Sequence, residues 1–142
     1  MLSGNEADKA EGLYPQKKGS SSTRALNEIL KDLFELYWVA SVAVIRRDGI
    51  LMASIMTQPP TIESKNTVAL ISATIMGAAK NITTKCKMGF PHFIIINAKE
   101  GDVVISEAGS KTILICITNS RYTREIMYDD IQKAALAVSK IV

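Results

Sequence analysis

Apolar residues recur at three- and four-residue steps in three stretches of the chain, and this periodicity predicts three helices. The apolar positions of the first helix are Leu26, Ile29, Leu30, Leu33 and Tyr37. The second helix follows Pro59-Pro60 and runs to about Thr84, because proline blocks helical hydrogen bonding before it. The third is capped by Asn119 or Ser120, and its apolar positions are Met127, Ile131, Ala134, Val138 and Ile141.

Five shorter apolar segments, rich in β-branched residues, predict strands. These segments are 39–46, 50–55, 93–96, 103–106 and 112–118. Asp48-Gly49 joins the first two and suits a two-residue type I′ turn, whereas Glu100-Gly101 and 108–110 join the last three into an antiparallel meander. The predicted order is therefore α-β-β-α-β-β-β-α.

The third strand is unusual because Phe93, Ile94, Ile95 and Ile96 form a continuous apolar run. Such a run predicts a strand that is covered on both faces, since an open edge of this kind promotes aggregation. Either a neighbouring strand or another subunit must cover it.

Residues 1–22 contain few large apolar side chains and are rich in glycine, serine and charged residues. This composition predicts a disordered tail, and a docking motif within it is the alternative. The remaining segment, 23–142, is the length of one domain, and the whole chain of 142 residues is 47% hydrophobic.

Charge and cysteine content narrow the classes of function. A net charge of +3 is too small to create a dominant field for nucleic acid or anionic lipid. Two cysteines suggest no disulfide framework, no apolar run reaches the ~18 residues of a membrane span, and no signal peptide is evident. We expect a cytoplasmic protein without membrane insertion or nucleic-acid binding.

The second helix indicates a protein partner, because no charged side chain lies between Lys65 and Lys80. We expect one stripe to cover the sheet, formed by Val68, Ile71, Ile75, Ala78 and Ile82. The opposite face is small and nearly neutral, which suits close packing of a second helix, and it contains Ala69, Ser72, Ala73, Met76, Gly77 and Lys80. A twofold homodimer is the interpretation we favour. The alternative is that a terminal helix of the same chain covers this face, or that its Ser, Thr and Asn residues are sufficiently solvated.

Signals for catalysis are weak. The segment 109–112, Gly-Ser-Lys-Thr, lacks the spacing of a phosphate-binding loop and precedes a strand instead of a helix, so we interpret it as a hairpin turn. His92 and Cys86 have no third residue to orient them, and one histidine with two cysteines does not make a four-ligand zinc site. We therefore expect no catalytic residues, no cofactor and no metal.

Two small basic pairs are the remaining candidates for partner contacts. Arg46 and Arg47 lie at the first hairpin, and Lys85 and Lys87 follow the second helix. Solvated turns are the simpler interpretation of both pairs, but either pair could meet acidic groups on a partner.

The leading helix 26–36, the hairpin 43–54, the charge-free helix 68–79 and the meander 93–118 with its following helix resemble the roadblock/LC7 family, most closely its stand-alone archaeal and bacterial members. The resemblance covers 23–142. It implies an α/β fold of the profilin-like type, an αβα sandwich. Its five-stranded sheet has the order 2-1-5-4-3, with the central helix on one face and the terminal helices on the other.

The resemblance also implies a homodimer in which the third strands pair across the twofold axis and the central helices pack antiparallel. That geometry places Phe93, Ile94, Ile95, Ile96 and Asn97 in the dimer interface beside the central helix. Family members bind Ras-like small GTPases as scaffolds or activating partners, which implies a non-enzymatic adaptor here. The alternatives are a small-ligand sensor, because profilin-, PAS- and GAF-like sheets are built similarly, or a subunit of a heteromeric scaffold.

Overall fold

The computed structural model describes residues 21–57, 61–119 and 124–142. They form, in the predicted order, α1 (Ser21–Phe34), β1 (Val39–Arg46), β2 (Leu51–Met56), α2 (Ile62–Lys85), β3 (Phe93–Ala98), β4 (Gly101–Glu107), β5 (Thr112–Thr118) and α3 (Arg124–Ser139). The tail predicted for 1–22 lies outside the described residues, except that Ser21 and Ser22 already belong to α1. Of the two residues predicted to cap α3, Asn119 donates its side-chain amide to the Tyr37 carbonyl at 2.7 Å, and Ser120 lies outside the described residues.

The five strands form one antiparallel sheet in the order β2-β1-β5-β4-β3, as the resemblance implied. β3 is an edge strand that pairs only with β4 among the described residues. Its side chains are half-buried or exposed, so the prediction of a strand covered on both faces is wrong within one subunit.

Alternation along the strands divides the core into two layers, because successive side chains point to opposite faces of a sheet. Val42, Val44, Leu114 and Cys116 pack on one face against α1 and α3. Their neighbours on the other face pack against α2, and these are Ala43, Ile45, Ile113 and Ile115. The αβα sandwich is therefore confirmed.

The turn between β1 and β2 differs from the predicted type I′ turn. Arg46 N–H donates to the Ile50 carbonyl at 2.8 Å, and Gly49 N–H donates to the Arg46 carbonyl at 2.9 Å. The loop therefore contains three residues, Arg47, Asp48 and Gly49, with Gly49 in the left-handed region at φ +94°. Glycine at this position is typical of a three-residue hairpin.

Candidate partner-binding surface

The buried face of α2 is opposite to the predicted one. Ala69, Ser72, Ala73 and Met76 are buried, and the three apolar ones pack on the sheet. They are small or flexible, which lets the helix backbone lie close to the strands. Their assignment to an outward dimer face is wrong, because the subunit's own sheet already covers them.

The outward side of α2 contains bulky apolar residues. Ile71 is 51% exposed and Ile82 is 65% exposed, while Val68 and Ile75 are half-buried at the margin of the core. The helical steps place these four residues and the exposed Ala78 along one stripe, which we call the apolar helix face. This is the stripe that the sequence had assigned to the sheet, and no charge interrupts it.

Beside α2, part of the sheet has little cover, although Ile105, Ile113 and Ile115 on the same face are buried. α2 contacts mainly β1 and β2, at one side of the sheet. Ile94, Val103 and Ile117 of the other three strands point to the same layer but are only half-buried, and Ile96 is exposed. We call these four residues the open sheet half. Together with the apolar helix face, they form an exposed apolar surface that the subunit does not cover.

The C-terminal end of α2 is terminated by a defined set of backbone hydrogen bonds. Lys87 N–H donates to the Thr84 carbonyl at 3.0 Å and Met88 N–H to the Thr83 carbonyl at 2.8 Å, with Lys87 at φ +58°. This pair of bonds is the Schellman arrangement, which normally has glycine at the left-handed residue. Lys85 and Lys87 are both exposed beside it.

Two aromatic and apolar side chains extend the exposed surface beyond this helix stop. Met88 and Phe90 are largely exposed, and the Lys80 ammonium lies 4.4 Å from the centroid of the Phe90 ring. The end of α2 therefore combines positive charge with apolar contact area.

The other basic pair, in the first hairpin, divides into two different roles. Arg47 connects the β1–β2 turn to the β4–β5 turn: its guanidinium donates to the Ser110 carbonyl at 2.7 Å, to the Gly109 carbonyl at 2.9 Å and to the Glu107 carboxylate at 3.0 Å. Among the described residues, the Arg46 guanidinium pairs only with the nearby Asp48 carboxylate, and both of those side chains are more than half exposed. Arg47 thus acts as a structural clasp, meaning that its side chain joins the two turns. The more exposed Arg46 is the better candidate for contact with a partner.

The candidate catalytic residues do not come together in one site. The segment 109–111 joins β4 to β5, as predicted for a hairpin turn, and Thr112 is the first residue of β5. His92 and Cys86 are exposed, and burial raises the pKa of the other thiol, Cys116, well above its ordinary value. Within the described residues, no three His, Cys, Asp or Glu side chains cluster as metal ligands.

The space beneath α2 is filled by side chains. Met76, Ile105 and Ile115 are at most 2% exposed and pack together there. A cavity of about 470 Å³ does exist, but it opens at the end of the sheet, where Lys80, Phe90 and His92 face Gln132 and Leu136 of α3. A ligand pocket under the central helix, which the sensor alternative requires, is not present at that position in the described part of the chain.

Comparison with known proteins identifies relatives of this architecture. The chain matches the Roadblock/LC7 domain over residues 25–118. The gliding protein MglB from Thermus thermophilus superposes with a TM-score of 0.76 at 14% identity, covering 86% of this chain and 91% of that one. Myxococcus xanthus MglB gives 0.77 at 16% identity, with 88% and 92% covered.

A Roadblock/LC7 domain from Streptomyces avermitilis gives a TM-score of 0.72 at 12% identity, covering 80% of this chain and 94% of that chain. None of the curated proteins matches in sequence. Among the described helices, none is long and apolar enough to cross a membrane. The solved structures support the fold, whereas their low identity leaves the partners of this chain to be argued from its own surface.

Proposed function

Since this chain belongs to the Roadblock/LC7 family, we propose that it is a non-enzymatic homodimeric adaptor that binds a Ras-like small GTPase. The observation that carries the proposal is the exposed apolar surface formed by the apolar helix face and the open sheet half. Burial of apolar surface contributes about 25 cal/mol of favourable free energy for each Å² removed from water, which favours association.

A twofold axis beside α2 lets one subunit's apolar helix face cover the same face of its partner. The outer edge of β3 has no strand beside it among the described residues, so two β3 edges can pair and continue the sheet. Such pairing satisfies backbone groups that an edge strand leaves open.

This geometry revises the interface residues. Lys80 of α2 remains a candidate, together with Ile94, Ile96 and Asn97 of β3, whereas Gly77 lies on the Leu70 side of α2, away from the apolar helix face. Phe93 and Ile95 pack toward α3 and α1, so they contribute through their backbone groups only. Ile71 and Ile82 are added to the interface, and the buried side of α2 is removed from it.

A charge placed on the apolar helix face tests the dimer. Ile71→Glu should convert the dimer to a monomer in sedimentation equilibrium at micromolar concentration, because it buries two like charges near the axis. Ile126→Glu is the matched control: Ile126 is a helical isoleucine, 46% exposed, on α3 at the other side of the sheet. A monomeric wild-type chain, or equal effects of both changes, would contradict the proposed dimer.

The GTPase would contact the end of α2, where Lys85, Lys87, Met88 and Phe90 are exposed. Small GTPases encoded in the same genome provide the test, each loaded with GDP or with a non-hydrolysable GTP analogue and passed over the immobilised chain. Lys85→Glu with Lys87→Glu should weaken capture at least tenfold, whereas Lys99→Glu with Lys111→Glu, two other exposed lysines, should not. Capture of no GTPase in either nucleotide state would reject this part of the proposal.

A heteromeric scaffold is the second candidate, because the open β3 edge and the apolar helix face would also fit a related subunit. Mass measurement of the complex purified from its native cell separates the two assemblies. A particle containing only this chain supports the homodimer, and a second roadblock-type subunit in equal amount supports the heteromer.

A further inference from the structure

A groove runs between the two terminal helices, on the side of the sheet opposite to α2. It contains two adjoining cavities of about 310 and 450 Å³ that share Ile29, Lys133 and Ala137. Its walls continue from Ala25 near the start of α1 to Leu36 just after that helix. We call this feature the terminal-helix groove.

The floor of the terminal-helix groove is apolar and its rim is charged. Ile29, Leu36 and Ile141 are half-buried apolar residues that pack at the margin of the first core layer. Leu136, which lines the same groove, is 59% exposed. The remaining lining is mostly charged: Glu28 and Asp32 on the α1 side, and Asp130, Lys133 and Lys140 on the α3 side. Such a groove fits a short segment with one or two large apolar side chains and flanking charges.

The chain itself contains a segment of that composition. Leu13 and Tyr14 are adjacent, with Glu11 before them and Lys17-Lys18 after them. The lysines lie between Tyr14 and Ser21, so a segment laid along the groove brings them to the acidic α1 rim at Glu28. The apolar pair has no comparable neighbour elsewhere in the first twenty residues, where the other large apolar residues are Met1 and Leu2.

The position of this segment allows it to reach the groove. Its chain enters α1 at Ser21, one helical turn before Ala25. Tyr14 lies seven residues before Ser21, so it can extend roughly 24 Å from that point. The stretch of α1 and its extension from Ser21 to Leu36 spans about 22 Å at helical rise. The whole groove is therefore within range of Tyr14.

We propose that residues 11–18 dock in the terminal-helix groove of their own subunit, with Leu13 and Tyr14 as the apolar anchors. The docked segment covers the faces of α1 and α3 that the fold leaves open. It lies across the sheet from the apolar helix face, so it does not compete with the proposed dimer.

Cysteine cross-linking in the full chain tests the docking directly. In a Cys86→Ser background, Tyr14→Cys with Ala137→Cys should form a disulfide under mild oxidation at least tenfold faster than Tyr14→Cys with Thr74→Cys, because Thr74 is exposed on α2 at the opposite side of the sheet. Leu2→Cys with Ala137→Cys is the second control. The product should migrate as a single chain in denaturing electrophoresis.

Equal rates for Ala137 and Thr74 would overturn the proposal. A product with the mass of two chains would also overturn it, because the segment would then occupy the groove of a second copy. Hydrogen exchange gives an independent reading: Leu13→Ser with Tyr14→Ser should speed the exchange of exposed α1 and α3 amides several-fold. Leu2→Ser should not, and similar exchange in both variants would contradict the docking. These readings do not depend on whether the chain dimerises or binds a GTPase.

Discussion

Gly49 in the first hairpin turn lies directly against Leu70 of the central helix. A Cβ atom built on Gly49 would be 2.8 Å from the Leu70 Cδ1 atom and 3.0 Å from its Cα atom. The left-handed backbone of Gly49, at φ +94°, brings the turn this close. The hairpin tip therefore helps to set the position of α2, the helix that presents the proposed dimer surface.

Replacing Gly49 by alanine should destabilise the subunit by about 2 to 4 kcal/mol, from a strained φ and an overpacked contact. Gly89→Ala is the matched control, because Gly89 has φ +85° but a Cβ atom there would meet nothing within 4 Å. It should cost only the conformational part, about 1 to 2 kcal/mol. Urea unfolding of both variants measures the difference, and equal losses would show that the contact with Leu70 has no energetic effect.

The two arginines of the hairpin should differ in their contribution to stability. Arg47→Ala removes three hydrogen bonds between two turns, and we expect a loss of about 1 to 2 kcal/mol, reduced by the partial exposure of the side chain. Arg46→Ala removes one exposed ion pair and should cost less than about 0.5 kcal/mol. Thermal unfolding of both variants tests this order, and an equal shift would contradict the role of Arg47 as a clasp.

Periodicity predicted the fold well because burial acts on every residue of an element. The strand 112–118 alternates between both core layers and was assigned with its observed bounds. The turn at Asp48-Gly49 was less well predicted, since Asp-Gly occurs in both two- and three-residue hairpins and the choice depends on strand register. Arg47 carries no local signal at all: its partners lie 60 to 63 residues away in the sequence.

The faces of α2 could not be assigned from hydrophobicity, because both sides of this helix are apolar. Size was the available signal. Ala69 and Ala73 let the helix approach the sheet, whereas Ile71 and Ile82 would hold it away, so the small side packs inward. The inference that α2 has more apolar surface than one subunit covers still holds after the two faces are exchanged. It then applies to Ile71 and Ile82 instead of the small residues.

Lys87 occupies a backbone conformation that favours glycine. Lys87→Gly should therefore stabilise the subunit by about 0.5 to 1 kcal/mol. The same replacement two residues earlier, Lys85→Gly, lies inside the last turn of α2 and should destabilise it by up to about 1 kcal/mol. Opposite signs in urea unfolding are the expected result. Loss of stability in both variants would mean that the lysine side chain, and not its backbone, determines the helix stop.

Cys116 should make stability depend on alkaline pH. Burial raises the pKa of its thiol, so the folded chain keeps this proton while the unfolded chain loses it above pH ~8.5. The unfolded state then binds fewer protons, and the free energy of unfolding falls as pH rises, by roughly 2 kcal/mol between pH 8 and 10. Cys116→Ala should remove this contribution, and Cys86→Ala, at the exposed cysteine, should retain it. Identical pH profiles for the two variants would contradict the assignment.

Gly77 provides a test that separates the stability of the subunit from that of the dimer. It lies inside α2, where glycine costs about 1 kcal/mol relative to alanine, and a Cβ atom there would meet nothing within 4 Å of its own chain. In the monomeric Ile71→Glu background, Gly77→Ala should therefore raise stability by about 0.5 to 1 kcal/mol. In the wild-type background the added methyl group should leave the dimer dissociation constant unchanged, because Gly77 lies on the same side of α2 as Leu70, which contacts the first hairpin, and away from the apolar helix face. Urea unfolding of the first pair and sedimentation of the second measure the two effects. If Gly77→Ala weakens the dimer, Gly77 lies inside the interface and the central helices meet on the Leu70 side of α2 instead of the apolar helix face.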